Sequence, residues 1–324
     1  MTTDEAKSGM LEQLRAELWD TDGLDLIPDP EPLIGDGLVF LDSLVWVIGK
    51  PGSYKSFLAQ DWCGSVATGE TWHGHSVHKG PVLYVIAEGR AGIKKRIRAW
   101  EQATGRPMYG VTFLTMAVQA DNELAWSALL ELVAELHPVL VVVDTQARVS
   151  LGMEENSNTE MGRFVHQVDR LRRKCGSTVV VVHHTSAVGE RGRGATAIDG
   201  AADTIVKVAN DDGQITVSCE KNKNGPTWDD IRLRPVPTGE SVVLATDDGS
   251  RRSEAPSHGA MKTGRKWWEM HRDAWVGTSK LVDIVAPRST IYRHLGELRR
   301  HDYVKVDDSG RYELYRLSGV WDDD

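Results

Sequence analysis

Gly49-Lys50-Pro51-Gly52-Ser53-Tyr54-Lys55-Ser56 is the stretch on which the reading of this chain turns. It stands after an apolar run at 44–48 and before a helical pattern at 56–67. The backbone N–H groups of such a loop, together with the N-terminus of the helix that follows, point at phosphate oxygens. Lys55 is placed to reach β- and γ-phosphates, and the Ser56 hydroxyl to ligate Mg²⁺. Residues 49–56 are therefore the candidate cofactor-binding loop. One position departs from the usual pattern, because Tyr54 stands where a last Gly is expected before the Lys. A tyrosine there can stack on a nucleotide or on a neighbour. A Gly-rich turn without function is the alternative, and the Lys-Ser pair and the strand-turn-helix setting both speak against it.

Outward from the loop the chain alternates strand-like and helical stretches. Apolar runs at 44–48, 82–86, 111–114, 140–143 and 178–182 are separated by helical patterns at 56–67, 93–103, 124–136 and 160–174. That rhythm predicts βαβ crossovers and an α/β fold on a mostly parallel sheet. The Val, Ile and Leu runs are apolar at consecutive positions, as strands buried on both faces require. After Ala201 four closely spaced runs, 204–208, 215–219, 231–235 and 242–245, predict a β-rich edge. An amphipathic helix is expected over 4–19, with Leu11, Leu14 and Leu18 on one face, followed by a Pro/Gly/Asp-rich connection at 20–36.

Further polar residues fall at strand ends. Asp144 closes the run Leu140-Val141-Val142-Val143, where a second Mg²⁺ anchor acting through water belongs. Glu88 follows the run 82–86, at the C-terminal edge where open α/β sheets bind ligands. A carboxylate there can orient or deprotonate an attacking water, and it can equally cap the next helix. His183-His184-Thr185 ends the run 178–182, so His184 can sense a γ-phosphate or simply bond to backbone. Arg191 and Arg193, spaced by glycines, suit a loop that touches a phosphate backbone, and also suit a plain solvent loop. Lys221 and Lys223 end another strand, as fingers reaching a neighbour's nucleotide or as solvated lysines of a hairpin.

In order and spacing these motifs resemble the hexameric RecA-type ATPases, especially plasmid- and phage-encoded replicative helicases of the RepA type. The matching stretches are GKPGSYKS, VLYVIAEG, LVVVDT, EENSNTEMGRFVHQVDRLRRKCGSTVVVVHHT and KNKNG, spanning about residues 28–234. The resemblance implies ATP and Mg²⁺ as cofactors, a catalytic Glu88 and a sensor His184. It also implies loops that face single-stranded DNA, Lys221 or Lys223 as inter-subunit fingers, and a homo-oligomeric ring, expected to be a hexamer. Relatives often carry a Lys soon after the paired histidines; here Ala187 stands there, and Arg191 and Arg193 are the candidate substitutes. A recombinase or recombination mediator, and an ATP-switched DNA-binding regulator or replication initiator, use the same core.

Residues 262–320 read as a separate small domain behind a polar linker at 247–261, with an N-terminal arm at 1–27 and the ATPase core at 28–246. Helical patterns at 265–275 (Trp268, His271 and Trp275 on one side), 278–285 and 289–300 precede two alternating strands at 303–306 and 311–317. This order resembles a winged helix, whose second helix enters the major groove. Ile291, Leu295 and Leu298 form the expected buried stripe of that helix. Arg288, Thr290, Tyr292 and Arg293 lie off the stripe as candidate duplex-DNA contacts, and a role in protein docking alone is the other use of the module.

Composition sets the bounds. The 324 residues carry a net charge of -9, yet 262–317 holds 12 Lys and Arg against 8 Asp and Glu, so sign separates the two parts. With 40% hydrophobic residues and no apolar run of membrane length, the chain reads as globular and cytoplasmic. The first ten residues are too polar for a secretory signal. Cys63, Cys175 and Cys219 are far apart, which fits reduced thiols. His73, His75 and His78 cluster in a loop-like segment, but with no Cys nearby and only Glu70 as an acidic neighbour they make a poor zinc set.

Overall fold

The computed structural model describes residues 3–185, 195–247, 258–271, 275–277, 291, 294–295, 298, 304–307 and 314–317. Its centre is a nine-stranded sheet. In chain order the strands are β3 (Leu44–Gly49), β4 (Val82–Ile86), β5 (Val111–Leu114), β6 (Leu140–Asp144), β7 (Thr178–His184), β8 (Thr204–Asp211), β9 (Gln214–Asn222), β10 (Ile231–Thr238) and β11 (Ser241–Thr246). In space they run β11-β10-β9-β8-β3-β7-β6-β4-β5. The six strands from β8 to β5 are mutually parallel, and β9, β10 and β11 add antiparallel pairings at one end. This is the expected α/β architecture with its β-rich edge. A two-stranded ladder, β1 (Pro32–Ile34) with β2 (Val39–Phe40), precedes the large sheet.

The apolar runs have period two in depth. Val45, Val47, Val142, Val180 and Val182 pack on one face with Leu58, Trp62 and Val66 of helix α3 (Lys55–Thr68). Trp46, Val141, Val143, Val179 and Val181 pack on the other. That face is covered by α5 (Glu123–Leu136) and α7 (Asn158–Cys175). Helix α4 (Arg90–Thr104) also connects parallel strands, and α8 (Ala195–Ala201) leads into β8. In α7 the stripe Met161, Phe164, Val168 and Leu171 is fully buried. Each such side chain contributes about 1.5–3 kcal/mol, and its 3- and 4-residue spacing made the helix legible. The helix is capped by the Ser157 hydroxyl at its start and ended by Gly176 in the left-handed region.

Two local expectations are corrected. The first helix, α1 (Thr3–Ala16), ends before Leu18, and Leu11, Leu14 and Leu18 are all exposed. The presumed connection at 20–36 holds a short helix, α2 (Thr21–Leu24), because Asp20 accepts the Gly23 N–H as an N-cap, and it also holds β1.

In the C-terminal part, α9 (His258–His271) ends before Trp275, which is 41% exposed; Trp267 on that helix is buried, and the side chain of Trp268 lies outside the described residues. Strands β12 (Val276–Gly277), β13 (Val304–Asp307) and β14 (Leu314–Leu317) form a three-stranded sheet ordered β12-β14-β13. Ile291, Leu295 and Leu298 are buried as the expected stripe, and Thr263 of α9 bonds His294 at 2.6 Å. The expected helix at 278–285 lies outside the described residues, as do Arg288, Thr290, Tyr292 and Arg293. No helix among the described residues is long and apolar enough to cross a membrane.

Candidate functional site

Hydrogen-bonded register brings the polar strand ends together. Gly49 pairs with His184, Ile86 with Asp144, and Asp144 with Val182, so β3, β7, β6 and β4 finish side by side. Their residues meet at the C-terminal edge because the ladder fixes where each strand stops.

The phosphate loop leaves β3 at Gly49, where a Cβ would lie 2.2 Å from the Val208 carbonyl oxygen, so only glycine fits. Tyr54 has φ 72° and ψ 18°, the left-handed conformation that the expected glycine would supply freely. A side chain held there costs on the order of 1–3 kcal/mol. Its ring packs on Phe57, with centroids 5.3 Å apart, and Arg96 lies 4.5 Å over the Phe57 ring. Tyr54→Gly is accordingly expected to leave nucleotide turnover within a few-fold of the parent, measured as steady-state kcat and KM. A loss of about a hundredfold would show that the ring, rather than the backbone turn, is what the site uses.

Tyr54 caps α3 without a side-chain bond, leaving the first-turn N–H groups of the helix for an anion. Lys55 is buried, and its Nζ donates to the carbonyl oxygens of Gly49 at 2.8 Å and Lys50 at 2.7 Å. Burial pulls its pKa down to about 8, against the attraction of Asp144 and Glu88. A buried cation bonded to carbonyls at the mouth of such a helix is arranged for phosphate.

Beside it, the Ser56 hydroxyl donates to Asp144 Oδ1 at 3.0 Å, and the Tyr84 hydroxyl donates to Asp144 Oδ2 at 2.6 Å. Burial raises the Asp144 pKa, opposed by those two hydrogen bonds. A serine hydroxyl and a carboxylate in contact are hard oxygen donors of the type Mg²⁺ takes, usually with several waters retained. The donor set therefore fits that ion. Tyr84 escaped the sequence reading, although a hydroxyl inside the otherwise apolar run 82–86 was the available signal.

Glu88 sits between two donors. Arg148 Nε approaches Oε2 at 3.0 Å, and His184 Nε2 lies 3.5 Å from Oε1. His183 is mostly buried, and its pKa falls to about 4, through burial first and then through His184 and Lys55. The Nδ1 atoms of His183 and His184 and the Thr145 hydroxyl are buried without hydrogen-bond partners among the described residues. Polar atoms in that condition call for a partner, and they cluster where β6 and β7 end.

Other sequence candidates go elsewhere. Lys221 pairs across the ladder with Ile205, itself level with Trp46, so it stands at the end of the sheet where the parallel strands begin. Its Nζ donates to the Asp199 carbonyl at 2.6 Å, and Lys223 pairs with Asp203 at 3.3 Å. Neither lysine reaches the phosphate loop of its own chain. Arg191 and Arg193 lie outside the described residues. The histidine cluster disperses: His73 bonds Asp61 and Thr246, His78 bonds Glu31, and His75 stacks on Trp72. Among the described residues no group of three or more His, Cys, Asp and Glu is placed to hold a metal.

The sequence model of a protein family described as an AAA domain matches residues 11–190. No curated protein matches the sequence. Among solved structures, an isolated ATPase domain is similar at 14% identity, over 75% of this chain and 99% of that one, with a TM-score of 0.49. The KaiC-like protein PH0186 from the hyperthermophilic archaeon Pyrococcus horikoshii OT3 is similar at 13% identity, over 66% of this chain and 93% of that one, with a TM-score of 0.47.

Proposed function

The chain belongs to the AAA domain family, and from that premise we propose that it is a Mg²⁺-dependent ATPase that assembles into a ring and moves on DNA as a replicative helicase does. The observation that carries the reading is the convergence of Lys55, the Ser56–Asp144 pair and Glu88 on one sheet edge. Residues 49–56 would cradle the ATP phosphates, with Ser56 and Asp144 holding Mg²⁺, the latter through water. When bound, that ion neutralises charge on the phosphate oxygens. Lys55 would place a cation beside the transferring group. Glu88 would accept a proton from the attacking water, and His184, against the same carboxylate, would register whether a γ-phosphate is present.

DNA is the proposed partner on two surfaces. Arg191 and Arg193 would meet a single strand at the core. The basic C-terminal part, proposed to be a winged-helix domain at 262–320, would meet a duplex through Arg288, Thr290, Tyr292 and Arg293. Residues 1–27, 28–246 and 247–261 would then be arm, ATPase core and linker. The deciding experiment is ATP turnover with and without single-stranded DNA, coupled to a strand-displacement assay. Stimulation with unwinding is expected. Stimulation with strand exchange would make the chain a recombinase, and no effect of DNA on turnover a regulator or initiator.

The lysine pair gives a separate test of assembly. Because Lys221 and Lys223 stand at the opposite end of the sheet from the loop, they can serve a nucleotide only across a subunit interface. A finger of this kind is worth roughly 10³–10⁵ in rate. Mixing Lys223→Ala chains with Lys55→Ala chains should restore turnover where an intact loop meets an intact finger. Mixed oligomers that stay inactive at every ratio would leave Lys223 with only its pairing to Asp203.

A further inference from the structure

We propose that Arg148 is a positioning residue that holds the Glu88 carboxylate for its work on water, an inference that rests on the reading of Glu88 as catalytic base. Arg148 lies on α6 (Gln146–Val149), four residues past Asp144, in a stretch the sequence did not single out. Its side chain is 56% exposed, yet its backbone is held from several sides. Gln146 is fully buried, accepts the Trp46 indole N–H at 3.2 Å, and sets its amide 3.6 Å from the Met161 sulfur. The Gln119 amide donates to the Arg148 carbonyl at 2.8 Å, and the Ala120 N–H to the Val149 carbonyl at 2.7 Å. The Ser150 hydroxyl donates to the Gln146 carbonyl. The turn that carries the arginine is thus anchored beside the site, and from it the Arg148 Nε–H donates to Glu88 Oε2 at 3.0 Å.

Glu88 needs such a hold. It follows β4 and is succeeded at once by Gly89 at φ 71°, so the chain turns away directly behind it. Among the described residues, the other side-chain hydrogen-bond contact on its carboxylate is His184 at 3.5 Å, near the limit for such a bond. Arg148 lies on one carboxylate oxygen and His184 approaches the other, and the stronger of the two contacts is that of Arg148. A half-exposed ion pair adds little to stability, so geometry is what this pair supplies. The planar guanidinium suits that task, because its Nε–H is directional where an ammonium is not.

The test uses the full-length chain, with ATP turnover and the affinity of a fluorescent non-hydrolysable ATP analogue measured for Arg148→Ala, Arg148→Lys, Glu88→Gln and the Arg148→Ala/Glu88→Gln pair. Arg148→Ala should lower kcat by about 10–100-fold, the scale of a misplaced reacting group, with KM and analogue affinity unchanged. Arg148→Lys should recover part of the loss and decides the matter if the alanine variant fails to fold. Added to Glu88→Gln, Arg148→Ala should cost nothing further. An unchanged kcat for Arg148→Ala beside an inactive Glu88→Gln overturns the inference and leaves the base in place. So does a raised KM at constant kcat, which would make Arg148 a nucleotide contact, or an equal loss in the Glu88→Gln background. Full turnover by Glu88→Gln itself overturns the base assignment, and the positioning role falls with it.

Discussion

Lys55→Ala is expected to abolish ATP hydrolysis and to weaken nucleotide binding. The Nζ sits buried at the mouth of the phosphate loop, bonded to two of the loop's own carbonyls and drawn by Asp144 and Glu88. Removing it takes away the cation nearest the transferring group and leaves the Gly49 and Lys50 carbonyls without that donor. Loss of one preorganised donor to a developing charge costs about 10²–10³ in kcat, and a buried cation costs no less. Steady-state phosphate release is the measurement. Near-native turnover would remove the nucleotide site from residues 49–56 altogether. The fold should survive, because Lys55 contributes nothing to either apolar core, and circular dichroism of the variant checks that condition.

Glu88→Gln should separate binding from chemistry. The amide preserves size and can still accept from Arg148, but it cannot take a proton from water. General-base catalysis contributes about 10²–10⁴ in rate, so turnover should fall by that factor while the affinity for ATP stays within a few-fold. Equilibrium titration with a fluorescent nucleotide, set beside phosphate release, reads both quantities on one sample. Loss of binding would make Glu88 a structural partner of Arg148 and His184.

The parallel part of the sheet was legible because its strands are mainly apolar and several end at polar residues. Val82–Ile86, buried at every position, and the edge strand Val111–Leu114 lie where the pattern predicted them, because short runs rich in Val, Leu and Phe between helical stretches read as strands by length. Asp144, Glu88 and His184 could be placed at one edge for the same reason: the residue that ends a parallel strand is at the ligand edge by topology. Tyr84 gave only a faint signal, and Arg148 none. Tyr84 bonds Asp144 from inside a strand, where a hydroxyl among Val and Leu reads as core. Arg148 depends on the direction of a four-residue helix, which no periodicity encodes. The lysine pair was legible only in part. Residue type and spacing suggested a finger, but only the antiparallel pairing of β9 with β8 shows which end of the sheet it occupies. In the C-terminal helix, pattern counting put Trp275 on a face that ends at His271.

The ladder that aligns the strand ends also sets a timetable for the newborn chain. Ser56 and Asp144 are 88 residues apart, and Glu88 and His184 are 96 apart. The phosphate loop emerges early in synthesis, yet β3 has its neighbour on one side only when β7 follows, roughly 130 residues later, which takes about 6–26 s at ordinary rates of elongation. Its other neighbour, β8, comes later still. Nucleotide therefore has no assembled edge to bind until most of the large sheet has left the ribosome. In that interval the apolar stretch at 44–48 stands without either of its partners, and such a stretch is able to pair with another chain. Slower elongation or crowded expression should show itself first as loss to aggregation at that strand, before any defect in the finished site.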